Sequence, residues 1–185
     1  MRWDALFADL AAQGEALEWA ELDSEVAERV RGEIGGLSLV DRARAAVGTE
    51  LRLRLRGQLD VGGQLVGAGP DWLLLHEPDG REVLIAIAQL MSARGLPRSS
   101  AAPGSSGVVE SRVGIRQLLR AIARDRSAVR LHLADGSTIG ATIDRVGADF
   151  VEVATHLPGE VRRRTDVRDV VTLPLTAIVA VRRSV

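Results

Sequence analysis

An internal duplication constrains this chain more than any other feature of its sequence. Residues 51–75, LRLRLRGQLDVGGQLVGAGPDWLLL, align without a gap with residues 129–153, VRLHLADGSTIGATIDRVGADFVEV, at an offset of 78. Residues 83–94 match residues 171–182 at an offset of 88, so the second repeat has gained ten residues in the intervening loop. The first alignment contains six identities: Arg52/Arg130, Leu53/Leu131, Leu55/Leu133, Gly62/Gly140, Gly69/Gly147 and Asp71/Asp149. The chain therefore contains two versions of one folding unit.

Each repeat has the pattern of a short helix followed by short strands. Leu51, Leu53 and Leu55 alternate with arginines, and in a strand this alternation places the leucines on one face. Gly62 and Gly140 lie within the second predicted strand, where a glycine indicates a sharp bend. One helix and five curled strands in about 60 residues are typical of a small closed barrel.

The residues outside the repeats divide the rest of the chain. Residues 1–36 carry two apolar stripes at helical spacing and form a helical segment, which packs on this chain's own barrels or makes a helical dimer contact. Residues 96–110 are rich in Gly, Ser, Pro and Ala and predict a flexible linker. The first barrel then spans 38–95 and the second spans 111–185.

The second repeat carries the pattern of a known small-barrel superfamily. A helix precedes its first strand, "ADG" forms a turn, "IGATI" enters a bent strand, "VGADFVEV" enters the third strand and "PLTAIVAV" closes the repeat. In these features it resembles an Sm-like domain, a superfamily that includes the eukaryotic Sm proteins and a bacterial RNA chaperone. The whole chain is also similar to an uncharacterised bacterial two-barrel family, which implies no established activity. The resemblance implies a mainly β fold with α: an N-terminal helical segment followed by two Sm-like small β-barrels, each preceded by a short helix.

The RNA pocket of that superfamily does not carry over to this sequence. The pocket uses an Asp and an Asn after the second strand and a basic loop between the last two strands. Asp71 and Asp149 match the Asp, but the chain contains no Asn, and Leu175 and Thr176 stand where the chaperone has its basic pair. We therefore expect the fold of the superfamily in this chain but not its RNA pocket.

Arginines provide the candidate contacts for an anion or a nucleic acid. Arg112, Arg116, Arg120 and Arg124 follow at successive steps of four, which places them in one stripe along the helix before the second repeat. Arg162, Arg163 and Arg164 lie in the expanded loop and could join the same surface. Arg52, Arg54 and Arg56 are only secondary candidates for anion contact. A strand with one buried face must carry polar residues on the other, so a solvated surface explains these arginines as well. Contacts of this kind would go to phosphates and would depend steeply on salt.

Composition and motifs argue against catalysis. Cysteine is absent, which removes disulfides, thiol nucleophiles and thiolate metal ligands together. The three histidines are scattered, and the chain has no glycine-rich phosphate loop or zinc-protease motif. We expect no catalytic residue, no metal and no cofactor.

Charge and hydropathy bear on location and partners. No run of about 18 apolar residues is present and the N-terminus does not read as a secretory signal, so we expect a cytoplasmic protein with no membrane contact. Residues 1–50 hold 11 acids and 5 arginines, and residues 51–185 hold 14 acids and 19 arginines. This asymmetry is compatible with nucleic-acid binding, although the basic part is only mildly basic.

Two functional hypotheses follow from the sequence. The first is a non-catalytic interaction or assembly module, which binds a protein partner or itself through barrel edges or through the N-terminal helix. The alternative is weak, charge-driven RNA binding through the arginine-striped helix.

Overall fold

The computed structural model describes residues 35–97, 112–155 and 169–183. The chain divides into two compact units, Met1–Ser38 and Leu39–Val185, and both repeats fall in the second. Short 3-10 turns occupy Arg56–Gln58, Ile87–Gln89 and Leu175–Ala177. The helices and strands in the described ranges are α1 (Leu39–Ala45), β1 (Glu50–Leu55), β2 (Leu59–Ala68), β3 (Trp72–His76), β4 (Glu82–Ala86), β5 (Leu90–Arg94), α2 (Ile115–Asp125), β6 (Ala128–Leu133), β7 (Thr138–Val146), β8 (Phe150–Thr155), β9 (Asp169–Pro174) and β10 (Ile178–Arg183).

All ten strands belong to one antiparallel sheet. Its order is β5-β1-β2-β3-β4-β10-β6-β7-β8-β9, with β5 at one edge and β9 at the other. The prediction of two Sm-like small β-barrels, each closed on itself, is therefore wrong. The physical reason is the pairing of β4 with β10, which joins the two repeats through backbone hydrogen bonds into a single open sheet with two helices in the described ranges.

Other predicted segments lie outside the described residues. They are residues 1–34 of the N-terminal helical segment, residues 98–110 of the linker, and Arg162, Arg163 and Arg164.

The alternation in β1 sorts its side chains between the core and the surface. Leu51, Leu53 and Leu55 are buried, while Arg52 and Arg54 between them are exposed. This arrangement follows from the two-residue period of a strand, which turns successive side chains to opposite faces of the sheet.

The apolar cores of the two repeats exchange side chains across the β4–β10 pair. Val179 and Ala180 of β10 are buried in the cluster formed by the first repeat. Trp72 and Leu84 of the first repeat are buried in the cluster that includes Leu119 of α2. Because each cluster contains residues of the other repeat, the two cores stabilise each other.

Glycine and an aromatic ring form a matched pair in both repeats. A Cβ on Gly69 would overlap the indole nitrogen of Trp72, and one on Gly147 would overlap the ring of Phe150. Each ring therefore lies directly over its glycine, which explains the shared G-x-D-aromatic motif.

The register irregularities of the second strand in each repeat lie beyond Gly62 and Gly140, the glycines at which a sharp bend is predicted. Gly62 pairs regularly with Arg52, and Gly140 pairs regularly with Arg130. The register shifts instead between Leu65 and Gly67, and between Ile143 and Arg145 in the second repeat. A bulge of one extra residue bends each strand there.

Candidate functional site

The junction between the repeats is a short antiparallel strand pair. Ala180 of β10 lies opposite Ile85 of β4, Val181 opposite Leu84, and Arg182 opposite Val83. Strand β10 also pairs with β6 of its own repeat, so it lies inside the sheet with partners on both sides. An edge strand of one repeat has thus been covered by the other.

A polar clamp reinforces this junction. The Arg182 guanidinium donates from Nε to Glu77 Oε2 at 2.8 Å and from Nη2 to Glu77 Oε1 at 2.9 Å. Both side chains are only 15% exposed. Glu77 precedes β4 in the first repeat and Arg182 lies in β10, so this bidentate ion pair crosses between repeats. Bidentate arginine–carboxylate pairs are strong ion pairs, because two parallel hydrogen bonds add energy and fix their geometry.

His132 of β6 completes the clamp in its neutral form. Arg182 Nη1 lies 2.6 Å from His132 Nε2, and an arginine can only donate, so Nε2 is the acceptor. The proton then sits on Nδ1, which faces the Thr138 hydroxyl at 3.3 Å. Burial, together with the charges of Arg182 and Arg130, lowers the pKa of His132 from 6.5 to about 4.

The first repeat also holds the start of helix α2. Asp71 Oδ1 accepts a 2.8 Å hydrogen bond from the Ile115 amide, and Trp72 Nε1 donates to the Val113 carbonyl at 2.7 Å. The first amides of a helix have no partner within the helix. A residue of the first repeat therefore caps the helix of the second.

A buried glutamine makes a further contact between the repeats. Gln89 Nε2 donates to the Thr176 carbonyl at 2.7 Å. The Gln89 side chain is buried away from water, so this hydrogen bond supplies the partner that its Nε2 group needs.

The edge strand β5 carries an exposed methionine, Met91, whose exposure is understood by comparison with the aligned residue of the second repeat. Met91 of β5 aligns with Val179 of β10 at the offset of 88. Each occupies a bulge, since the register shifts between Arg54/Leu55 in the first repeat and between Ile178/Ala180 in the second. Val179 is 0% exposed in the core of the other repeat, whereas Met91 is 65% exposed. Met91 is thus exposed at the position where β10 meets a neighbouring repeat.

The arginine stripe predicted on the helix is exposed. Arg116, Arg120 and Arg124 lie on α2 and Arg112 precedes it, all with exposed side chains. Arg116 donates to the Ala148 carbonyl at 3.0 Å. None of the four forms an ion pair with another described residue.

Two of the secondary candidates line an open groove of about 550 Å³ on the outer face of β5, β1 and β2. Arg52 and Arg54 of β1 lie beside Arg94 and Ser92 of β5, with Asp60 and Gly62 of β2 on the other side. Arg56 is exposed in the following 3-10 turn and does not line the groove. None of the helix arginines lines this groove.

Sequence reasoning missed Arg94, Met91 and the clamp of Glu77, Arg182 and His132. The signal for Arg94 was present, because the offset of 88 aligns it with Arg182. The partnership of Arg182 with Glu77, 105 positions earlier in the chain, had no signal in the repeat pattern.

Three further observations bear on what the protein is. The described part of the chain contains no group of three or more His, Cys, Asp or Glu residues placed to hold a metal ion. Among the helices of the described ranges, none combines the length and apolarity needed to cross a membrane. Comparison of the sequence with protein-family models and with curated proteins gave no match in either case. The resemblance to Sm-like proteins therefore stays a prediction.

Proposed function

We propose that this chain is a non-catalytic assembly module that joins further copies of itself edge to edge, with β9 of one chain pairing with β5 of the next. The observation that carries the proposal is the β4–β10 junction. Strand β9 is the counterpart of β4, and β5 is the counterpart of β10. The intermolecular pair would therefore repeat the contact that already joins the two halves of one chain.

The contrast between Met91 and Val179 supports this pairing. Val179 is enclosed because the first repeat covers it, and Met91 has the same place in its own repeat without a cover. Burying most of a methionine side chain contributes about 1.5–3 kcal/mol. A neighbouring chain on β5 would supply that burial.

Strand β9 offers the matching hydrogen-bonding groups. The Leu175 amide donates to the Asp149 carbonyl one position beyond the β8–β9 register, which makes these two residues a hydrogen-bonded pair when the register is continued. Because antiparallel pairs alternate, Thr172 and Pro174 fall in non-hydrogen-bonded pairs with β8. The Thr172 amide therefore points away from β8, toward the outer edge of the sheet, and Pro174 occupies a place where an edge strand tolerates proline.

Charge favours the pairing of unlike edges. If the β4–β10 register is transferred to a β9–β5 pair, Val171 lies opposite Arg94 and Thr172 lies opposite Ala93. Asp169 then lies diagonal to Arg94. The charged residue on β5 is basic and the charged residue on β9 is acidic, so β9–β5 contacts are preferred over β5–β5 contacts.

Analytical ultracentrifugation of complementary edge variants tests the proposal. The natural chain is expected to sediment faster as its concentration rises. Met91→Lys places a charge where a neighbouring core would receive Met91, and Thr172→Pro removes an outward amide. Each variant alone is expected to be monomeric. An equimolar mixture is expected to form dimers, because the intact β9 of the first variant can pair with the intact β5 of the second.

Val47→Lys is the matched control, since Val47 is also an exposed apolar residue but lies outside both edge strands. It should associate like the natural chain. A natural chain that stays monomeric at all concentrations, or a mixture of the two edge variants that stays monomeric, would refute the proposal.

A further inference from the structure

The groove on the first repeat is a basic surface built in two rows across three strands. In one row Arg52 of β1 lies between Arg94 of β5 and Gly62 of β2. In the next row Arg54 lies between Ser92 and Asp60. Gly62 contributes no side chain to its row, which leaves the space beside Arg52 open.

The second repeat has the same site with its rows in the same register. Arg130 there lies between Arg182 and Gly140, and His132 lies between Ala180 and Thr138. At this second site an anion is already bound. The Glu77 carboxylate, which comes from the β3–β4 turn of the first repeat, holds Arg182 in a bidentate ion pair.

The groove of the first repeat lacks such a carboxylate. Thr155 stands at the position of Glu77 when the repeats are aligned at the offset of 78, so the second repeat carries no acid at that position. Among described residues, Arg52, Arg54 and Arg94 form no ion pair, although Asp60 lies opposite Arg54. Arg52 and Arg94 lie directly opposite each other, and like charges in that position destabilise a strand pair.

We propose that this groove binds an acidic peptide segment in extended conformation, with carboxylates at alternate positions. Arg52 and Arg54 are two residues apart on one strand and point to the same face, about 7 Å apart. An extended peptide repeats its side chains with the same two-residue period. Carboxylates at positions i and i+2 of the ligand therefore match the two arginines, and Arg94 supplies a third donor group.

The second repeat is the reason for choosing a carboxylate over other anions. Its arginine binds a glutamate, in the same register and on the same face of the sheet. Arg54 of the groove corresponds to His132, so the groove has three arginines where the aligned site of the second repeat has two, Arg130 and Arg182. The groove thus has the donors for more than one carboxylate.

Fluorescence anisotropy with labelled peptides tests the proposal on the full chain. The probe is an eight-residue peptide that alternates glutamate with threonine. A second peptide has the same composition with its glutamates in two adjacent pairs separated by two threonines, so that no two glutamates stand at positions i and i+2, and a third has glutamine in place of glutamate. We expect the alternating peptide to bind most tightly and the glutamine peptide not to bind.

Paired charge variants locate the binding. Arg52→Gln with Arg54→Gln is expected to weaken binding of the alternating peptide at least about tenfold. Arg120→Gln with Arg124→Gln removes the same charge from exposed positions of α2 and should leave the affinity within about twofold. Asp60→Asn removes the acid from the groove and should strengthen binding about two- to threefold, which a misfolded variant would not do. None of these substitutions lies in the edge strands β5 and β9, and the sedimentation experiment uses different residues, so the edge-pairing proposal is tested separately.

Three results would overturn the proposal. The first is no binding of the alternating peptide by the natural chain. The second is an equal loss in the two arginine double variants, which would indicate general charge attraction. The third is binding of labelled oligouridylate that requires Arg52 and Arg54 while the acidic peptide does not bind, which would assign the groove to phosphates.

Discussion

Gly57, which ends the LRLRLRG motif, lies against the backbone of the second repeat. Its φ is +72°, in the left-handed region. A Cβ added to it would lie 2.7 Å from the Leu133 carbonyl oxygen and 2.9 Å from the Gly136 nitrogen. Both neighbours are backbone atoms of the second repeat and cannot rotate away. Glycine is therefore required here for its conformation and for its lack of a side chain.

Gly57→Ala is expected to lower the free energy of unfolding more than Gly80→Ala does. Gly80 has a similar φ of +83° but nothing within 4 Å of an added Cβ. Gly80→Ala should therefore cost about 1–2 kcal/mol, the penalty for a left-handed alanine. Gly57→Ala should cost about 1–3 kcal/mol more, because the methyl group is forced against backbone. Urea unfolding followed by circular dichroism measures both, and equal losses would show that the contact with Leu133 does not matter.

Single residues show what sequence patterns can and cannot predict. The burial of Leu51, Leu53 and Leu55 follows from strand period alone. The roles of Arg94 and Met91 do not, because each depends on whether the other repeat covers that position. Sequence alignment pairs these residues with Arg182 and Val179 but cannot show that one member of each pair is covered and the other exposed.

At the scale of elements, helix α2 depends on a turn from the other repeat. Its N-terminal amide at Ile115 donates to Asp71, and Gln117 Oε1 accepts a 2.7 Å hydrogen bond from the Gly114 amide. The aligned Asp149 follows β7 in the second repeat and has no side-chain hydrogen bond to a described residue. The aspartate of the shared motif therefore caps a helix in the first repeat but not in the second.

Asp71→Ala is expected to destabilise the fold by about 1 kcal/mol, the usual cost of losing a side-chain cap at a helix N-terminus. Asp149→Ala is the matched control and should change the unfolding free energy by less than about 0.5 kcal/mol. Hydrogen exchange measured by mass spectrometry should also show faster exchange in α2 for the Asp71 variant. Equal destabilisation by the two substitutions would argue against the capping role.

The existence of helices and strands in each repeat could be predicted, but the order of the strands could not. Alternating residues and glycine-containing turns act over a few neighbours and are visible in the sequence. The pairing of Val83 with Arg182 joins segments nearly one hundred residues apart, and no local pattern records which edge a strand will meet. The prediction of two closed barrels failed because the pairing of β4 with β10 is not visible in the sequence.

At the scale of the whole molecule, the clamp ties the stability of both repeats to the protonation of one histidine. His132 has a pKa of about 4 in the folded chain and 6.5 when it is solvated. Between these values the unfolded chain binds a proton that the folded chain does not. The free energy of unfolding therefore decreases as pH falls from 6.5 toward 4, and the stabilisation is complete above 6.5.

Urea unfolding at pH 7, 6 and 5 tests this dependence. The natural chain should lose stability over this range, and His132→Gln should lose less, because the titrating group is gone. His76→Gln removes an exposed imidazole and should follow the natural chain. A His132→Gln variant with the same pH dependence as the natural chain would show that other groups determine it.

Joining the two repeats in one polypeptide has a consequence for stoichiometry. The β4–β10 contact is held by the covalent chain, so dilution cannot separate it. If chains associate through β9 and β5, every closed ring contains an even number of five-stranded units, and covalently tethered contacts alternate with dissociable ones around it. Only half of the contacts in such a ring respond to concentration, and the smallest product of its dissociation is always a two-unit chain.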